Sequence, residues 1–221
     1  MSQPSATDKV ISGSNVLPGK NGLFYGGAWH QAIGGDVIEC FNPATSELLM
    51  DVQAAKSADV DKAVDSARAA QRAWGDLPPI ERARYVKELA ERVKDHADEL
   101  ALLDSMNSGN PFQGMQFDVK ISVALLDFFA GLATELKGET IPMGAGKLNY
   151  AVREPLGVVA RLIPFNHPIM FACIKSAAPL IAGNTVILKP SEFTPLSALR
   201  LAELAADLFP AGVFNVLPGL G

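Results

Sequence analysis

After residue 157 the chain alternates two kinds of segment. "GVVARLI" is a short apolar run rich in β-branched residues, and "PIMFACIKSAAPLIAG" reads as a helix ending at Gly183. "NTVILK" is strand-like, "TPLSALRLAELAADL" is a helix with proline at its start, and "GVFNVLPG" is strand-like again. Strand, helix, strand, helix, strand at this spacing is a βαβαβ unit. Parallel strands need a crossover rather than a tight turn, and that crossover is right-handed. Ligands of such sheets bind beyond the carboxyl ends of the strands. Three strand-end segments therefore carry the functional weight: "PFNHP", "KPSEFTP" and "LPGLG".

Upstream, residues 1–20 are dominated by Ser, Pro, Gly and Asn without periodicity and read as a flexible lead-in. Residues 21–137 begin with strand and turn: "GLFYGGAWH" carries a Gly-Gly hairpin signal, and "DVIECFNPATSELL" an Asn-Pro turn. Long helices follow. The first has Ser57 as its expected N-cap, with Val60, Ala63, Val64, Ala67 and Trp74 on one face. A second, "LPPIERARYVKELAERVKDHADELALLDSMNSG", is expected to run unbroken from its proline start to Gly109. Its stripe is Val86, Leu89, Ala90, Val93, Ala97 and Leu100. A third, from about residue 115 to 136, is apolar on most sides and is expected to be deeply buried. Residues 138–156 break the pattern with Gly and Pro. "LNYAVRE" alternates like a strand with one wet face, so this ribbon either covers a sheet edge or reaches toward another subunit.

Composition excludes several function classes. A net charge of -5 with no long Lys/Arg block lacks the footprint of nucleic-acid binding. The most apolar region is interrupted by Lys175, Pro179 and Asn184, so it does not read as a membrane span. Cys40 and Cys173 are far apart, and the three histidines and two cysteines show no metal-ligand spacing. No secretory signal is evident, so a reduced, cytoplasmic protein without a metal is expected.

Generic phosphate motifs are absent: "GSNVLPGK" is not a Walker A match, and "PGLG" is only a fragment of a dinucleotide fingerprint. Two candidates remain. Lys189 and Glu192, three residues apart with Ser191 between them, put a cation and a carboxylate at a strand end. Together they suit a ribose diol, and an acidic group there disfavours a 2′-phosphate. The same residues would also serve as a helix-entry loop, with Glu192 at the positive end of the next helix. Asn166 would donate its amide to a developing oxyanion or, equally, cap the helix starting at Pro168. His167 reads first as packing or a solvent-facing ring.

The segments "GVVARLIPFNHPIMF…SAAPLIAGNTVILKPSEFTPLSALRLAEL…GVFNVLPGLG" strongly resemble the NAD(P)-dependent aldehyde dehydrogenases. "NPAT", "VDKAVDSARAAQRAW", "LPPIERARYV…LAERV" and "REPLGVV" match that family in the same order, so the resemblance covers the chain from about Leu23 onward. The resemblance implies an α/β fold: a Rossmann-like parallel sheet, preceded by an N-terminal hairpin and helices, with an extended oligomerisation arm. It implies that Asn166 stabilises the oxyanion of a thiohemiacetal. Lys189, Ser191 and Glu192 would hold the adenosine ribose of NAD, with NADP left open. Ile163, Pro164 and Phe165 would line the cofactor cleft, and Gly219 and Gly221 would lie beside the adenine. Residues 138–156 would pair across subunits in a homodimer or homotetramer, and an aldehyde would be the substrate. His167 departs from the large aromatic residue more common at that position, beside the substrate entrance.

In the family, the Gly-rich pyrophosphate turn, the glutamate general base, the cysteine nucleophile and the catalytic domain all lie downstream of the segment matched here. Cys173, inside a helix among Phe171, Ala172 and Ile174, reads as a buried, inert thiol, as does Cys40. The chain alone is therefore expected to be catalytically silent: the N-terminal, cofactor-binding part of an NAD-preferring enzyme. The alternative is a natural truncation that binds nucleotide or modifies an oligomer without catalysis. Ending a parallel sheet after its third strand is expected to leave an open edge there.

Overall fold

In the computed structural model, which describes residues 16–220, the chain first reverses at Gly26 and Gly27, whose φ angles are 62° and 75°. Positive φ at both central residues gives the tight hairpin between β1 (Leu23–Tyr25) and β2 (Ala28–His30). β3 (Val37–Phe41) and β4 (Leu48–Gln53) form a separate antiparallel ribbon around the Asn-Pro turn. Four helices follow: α1 (Ser57–Gly75), α2 (Pro79–Asp95), α3 (Ala97–Ser108) and α4 (Phe112–Gly131), the last ending in a short 3-10 turn, Leu132–Glu135. An antiparallel pair, β5 (Glu139–Pro142) and β6 (Leu148–Ala151), precedes the alternating unit. That unit is β7 (Val158–Leu162), α5 (Pro168–Ile181), β8 (Thr185–Lys189), α6 (Leu196–Ala205) and β9 (Phe214–Val216).

β7, β8 and β9 are parallel neighbours, and the full sheet runs β2-β1-β9-β8-β7. The fold is thus mixed α/β with a mixed five-stranded sheet. The third parallel strand is not an open edge, contrary to expectation. β1 joins it antiparallel at Phe24↔Val216, and the contact is stapled by Asn215. That buried side chain accepts from the Gly26 N–H at 3.1 Å and donates to the carbonyls of Val186 and Gly212 at 3.0 and 2.8 Å. Among the described residues, the outer edges of the sheet belong to β2 and to β7, where Leu162 is 73% exposed. The pairing joins segments nearly the whole chain apart, which no local pattern announces.

Alternation on β8 sorts side chains to both faces of the sheet. Val186 and Leu188 enter the larger core with α2, α4, α5 and α6, while Ile187 joins Ala63 and Ala67 of α1 on the other side. The helices meet at buried polar anchors. Trp74 packs edge-on to Tyr85 and Phe209 and donates Nε1–H to Leu180 O at 3.1 Å. Arg82 is buried and donates to the carbonyls of Ile181, Gly75 and Leu77, tying α2 to the C-terminal ends of α1 and α5. Opposing a cation to helix C-terminal carbonyls offsets its desolvation, which itself lowers the guanidinium pKa.

Five local expectations need correction. The long second helix is two, because His96 leaves helical geometry at ψ 22° and its ring Nδ1 bonds Arg92 O at 2.8 Å, ending α2. The N-cap of α1 is Lys56 rather than Ser57. The capping carboxylate is the buried Asp59, which accepts from the Lys56 N–H at 2.9 Å and from the Ile33 N–H. Val60 of the expected stripe lies outside, exposed. α4 buries only one face, with Asp118 and Ser122 on it, while Phe117 and Phe128 are exposed. The ribbon within residues 138–156 is a hairpin whose strand residues are exposed on both faces, and it covers no sheet edge of this chain.

Within the expected lead-in, Val16 and Pro18 are buried, and residues 1–15 lie outside those described. No described helix is long and apolar enough to cross a membrane.

Candidate functional site

β7 and β8 end together. Leu162 pairs with Lys189, and the Ile163 N–H donates to Lys189 O at 3.1 Å, so the loops after both strands leave the sheet side by side. This is the strand-end edge where parallel sheets bind ligands.

The first loop is fastened through its backbone. Phe165 O accepts from Thr194 Oγ1 at 3.1 Å, and Asn166 O accepts from Asn110 Nδ2 at 2.7 Å. His167 donates Nδ1–H to Asp118 at 2.6 Å, and the Ile169 N–H donates to Asp104 at 2.9 Å. Asn166 itself is exposed, and its side-chain amide makes no hydrogen bond among the described residues. The capping alternative falls away. His167 occupies the cap position of α5, and the Ile169 amide near the helix start is taken by Asp104 rather than by Asn166. A fixed backbone with a free carboxamide is the arrangement an oxyanion donor needs, since its reorganisation has been completed before reaction.

The second loop carries Lys189 and Glu192, whose Nζ and Oε2 lie 3.3 Å apart, with side chains 22% and 32% exposed. The Glu192 carboxyl is held below the usual range, first by its own backbone N–H and then by the Lys189 ammonium. The loop leads directly into α6, whose opening Leu196 amide donates to Asn107 Oδ1 at 3.4 Å. Ser191 is buried and accepts from the Phe193 N–H at 3.3 Å, so it shapes the turn. Ile163 is buried, while Pro164 and Phe165 are exposed beside it. Gly219 lies buried against residue 55, where a Cβ would meet Ala55 O at 3.3 Å, and the Ala55 N–H donates to Pro218 O. Gly221 lies outside the described residues.

Sequence reasoning missed the residues behind these loops: Asp104, Asn107, Asn110, Asp118 and Thr194. A signal existed for two of them. Asp104 and Asn107 fall four and seven residues after the buried Leu100, continuing its stripe with polar side chains. Burial first, and nearby Asp118 to a lesser degree, raise the Asp104 carboxyl to about 7 against the opposing Ser197 hydroxyl and Ile169 N–H. Both cysteines are buried, and burial pushes each thiol up to about 12, so they are protonated near neutral pH.

Residues 29–221 match the model of the aldehyde dehydrogenase family. Aldehyde dehydrogenase tropH of Talaromyces stipitatus is 45% identical over 207 residues, covering 92% of this chain and 40% of that protein. The structure of PnpE from Pseudomonas sp. WBC-3 in complex with nicotinamide adenine dinucleotide matches with a TM-score of 0.88 and 43% identity, over 91% of this chain and 42% of that one. The aldehyde dehydrogenase KauB from Pseudomonas aeruginosa matches with a TM-score of 0.90 and 35% identity, over 94% and 43%. The chain thus spans about two fifths of the length of these relatives. With a family match across most of its length and the same fold at high identity, the chain belongs to the aldehyde dehydrogenase family.

Proposed function

We propose that the chain is the cofactor-binding part of an NAD-preferring aldehyde dehydrogenase and is catalytically silent alone. The observation that carries this reading is the pairing of a free Asn166 carboxamide on a fastened loop with the adjacent Lys189–Glu192 pair at the neighbouring strand end. The Lys189 ammonium would donate to ribose hydroxyls and the Glu192 carboxylate would accept from them. The same carboxylate would repel a 2′-phosphate. Ile163, Pro164 and Phe165 would form the wall between the two loops, and Gly219 would lie beside the adenine. Bound nicotinamide would supply the hydride acceptor.

The residues of this chain would bind and polarise. Asn166 would donate an N–H to the aldehyde oxygen and hold the alkoxide that forms when a thiolate adds to the carbonyl carbon. Neither Cys40 nor Cys173 would supply that thiolate, because both thiols are buried and protonated. A nucleophile and a base able to activate water for thioester hydrolysis would have to come from elsewhere. Residues 138–156 would complete their hairpin against another subunit, since it is exposed on both faces here.

Calorimetric titration of the purified 221-residue chain with NAD tests the binding half of the proposal. Saturable binding that Lys189→Ala weakens is expected, with no NADH formed on adding an aldehyde. Aldehyde-dependent NADH production abolished by Asn166→Ala would overturn the inactive half, and absence of NAD binding would overturn the other.

A further inference from the structure

The two site loops share a third support, and it comes from a single stretch of chain. At the C-terminal end of α3, Asp104 accepts from the Ile169 N–H at 2.9 Å. One turn later Asn107 donates to Phe193 O at 3.2 Å and accepts from the Leu196 N–H at 3.4 Å. Just past the helix, Asn110 donates to Asn166 O at 2.7 Å. Asp104 and Asn110 therefore hold the loop after β7 where it enters α5, at Ile169 and Asn166, while Asn107, between them in sequence, holds the loop after β8 on both sides of Thr194.

The stretch is itself rigid. Gly109 closes α3 with φ 78°, turning the chain so that Asn110 leaves the helix axis; a Cβ there would meet Pro43 Cγ at 2.8 Å. The backbone of Asn110 is then tied at both of its polar atoms: its carbonyl accepts from Ser105 Oγ at 2.7 Å, and its N–H donates to Ser108 Oγ at 3.2 Å. Asp104 and Asn107 are buried polar side chains on an otherwise apolar face, and neither reaches the Asn166 carboxamide or the Lys189–Glu192 pair. Burying polar groups on a packing face is costly unless they are hydrogen-bonded, and here the bonds that offset the cost go to the two loops.

We propose that Asp104, Asn107 and Asn110 are positioning residues that set the Asn166 loop and the Lys189–Glu192 loop in fixed relation to each other. The two loops touch directly through Thr194 Oγ1 and Phe165 O, so a displacement of the second is passed to the first. Asn107 acts on the ribose-binding loop and, through Thr194, on the oxyanion loop. Asn110 acts on the oxyanion loop alone. This assignment rests on the proposed roles of the two loops for its functional meaning, but its mechanical content does not.

Amide hydrogen exchange on the 221-residue chain, read beside NAD titration, separates those two layers. Asn107→Ala is expected to speed exchange about tenfold, the equivalent of one lost hydrogen bond, at residues 193–196 and also at 165–169. Asn107→Asp retains the acceptor for Leu196 and should restore protection at that amide. Asn110→Ala, at a partly exposed site that tolerates truncation, should speed exchange at 165–169 only. Asn107→Ala should weaken NAD binding although Asn107 lies outside the proposed cofactor contacts. A uniform rise in exchange across the helices, or faster exchange at 193–196 with none at 165–169, would overturn the proposal. If the unaltered chain binds no NAD, the functional reading of the loops fails while the exchange pattern still decides the positioning claim.

Discussion

The strand-end loops and the β5–β6 hairpin are both irregular, Gly/Pro-punctuated segments, yet the molecule treats them in opposite ways. The loops after β7 and β8 are fastened by side chains from α3, α4 and each other, so little of their backbone is free. Among the described residues the hairpin is held by its own ladder, Glu139↔Ala151 to Pro142↔Leu148, and by Arg153 donating to Lys137 O at its base, with Leu148 76% exposed. A two-stranded ribbon with no packed face is marginal by itself. What separates the two is tertiary support rather than local sequence: one region is fastened from several neighbouring elements, and the other leaves its apolar residues exposed among the described residues.

That contrast is broken most severely from the core side. Trp74→Ala should cost about 3–5 kcal/mol, because it empties the space against Tyr85 and Phe209 and strips the Leu180 carbonyl of its donor. A denaturant melt reads this as a large fall in midpoint. Asn215→Ala should cost about 1–3 kcal/mol by leaving the Gly26 amide and two carbonyls unpaired. Its particular signature would be faster exchange in β1 and β2, since the staple joins the hairpin to the parallel strands.

A third test concerns pH. The Asp104 carboxyl moves from 3.8 to about 7 on folding, chiefly through burial. A folded pKa above the unfolded one favours the native state below 3.8, and this contribution is lost as pH rises through about 7. Asp118 and His167, paired at 2.6 Å, and the Cys173 thiol, which burial keeps protonated, lie around the group. Asp104→Asn should flatten the decline, so stability measured at about pH 5 and about pH 8 should differ less than in the unaltered chain.

The smallest expected effect lies in the hairpin. Leu148→Glu with Tyr150→Glu should change unfolding free energy by no more than about 0.5 kcal/mol, since both residues are exposed. Sedimentation should nonetheless show reduced self-association, which would sharpen the contrast by separating surface from scaffold.

Much of this architecture was legible. The βαβαβ rhythm, the Gly-Gly hairpin and the Asn-Pro turn all follow from local patterns, and each has its counterpart in the structure. The misses have a common physical cause. The closure of β9 by β1, the cap supplied by Asp59 and the polar anchors Asp104, Asn107 and Asn110 all depend on partners distant in sequence or on side chains whose burial is set by tertiary packing. The break at His96 was hidden because the apolar stripe continues across it. Asn166 shows both sides: spacing left cap and oxyanion donor equally open, and only the placement of His167 and Asp104 removes the cap.

The central claim is that the fastened loops, rather than the hairpin, form the seat for NAD. Amide hydrogen exchange of the chain with and without NAD tests it directly. The account predicts added protection at residues 163–166 and 189–193 and none at 139–151. Saturating NAD that leaves both loops unchanged, or protects only the hairpin, would contradict it.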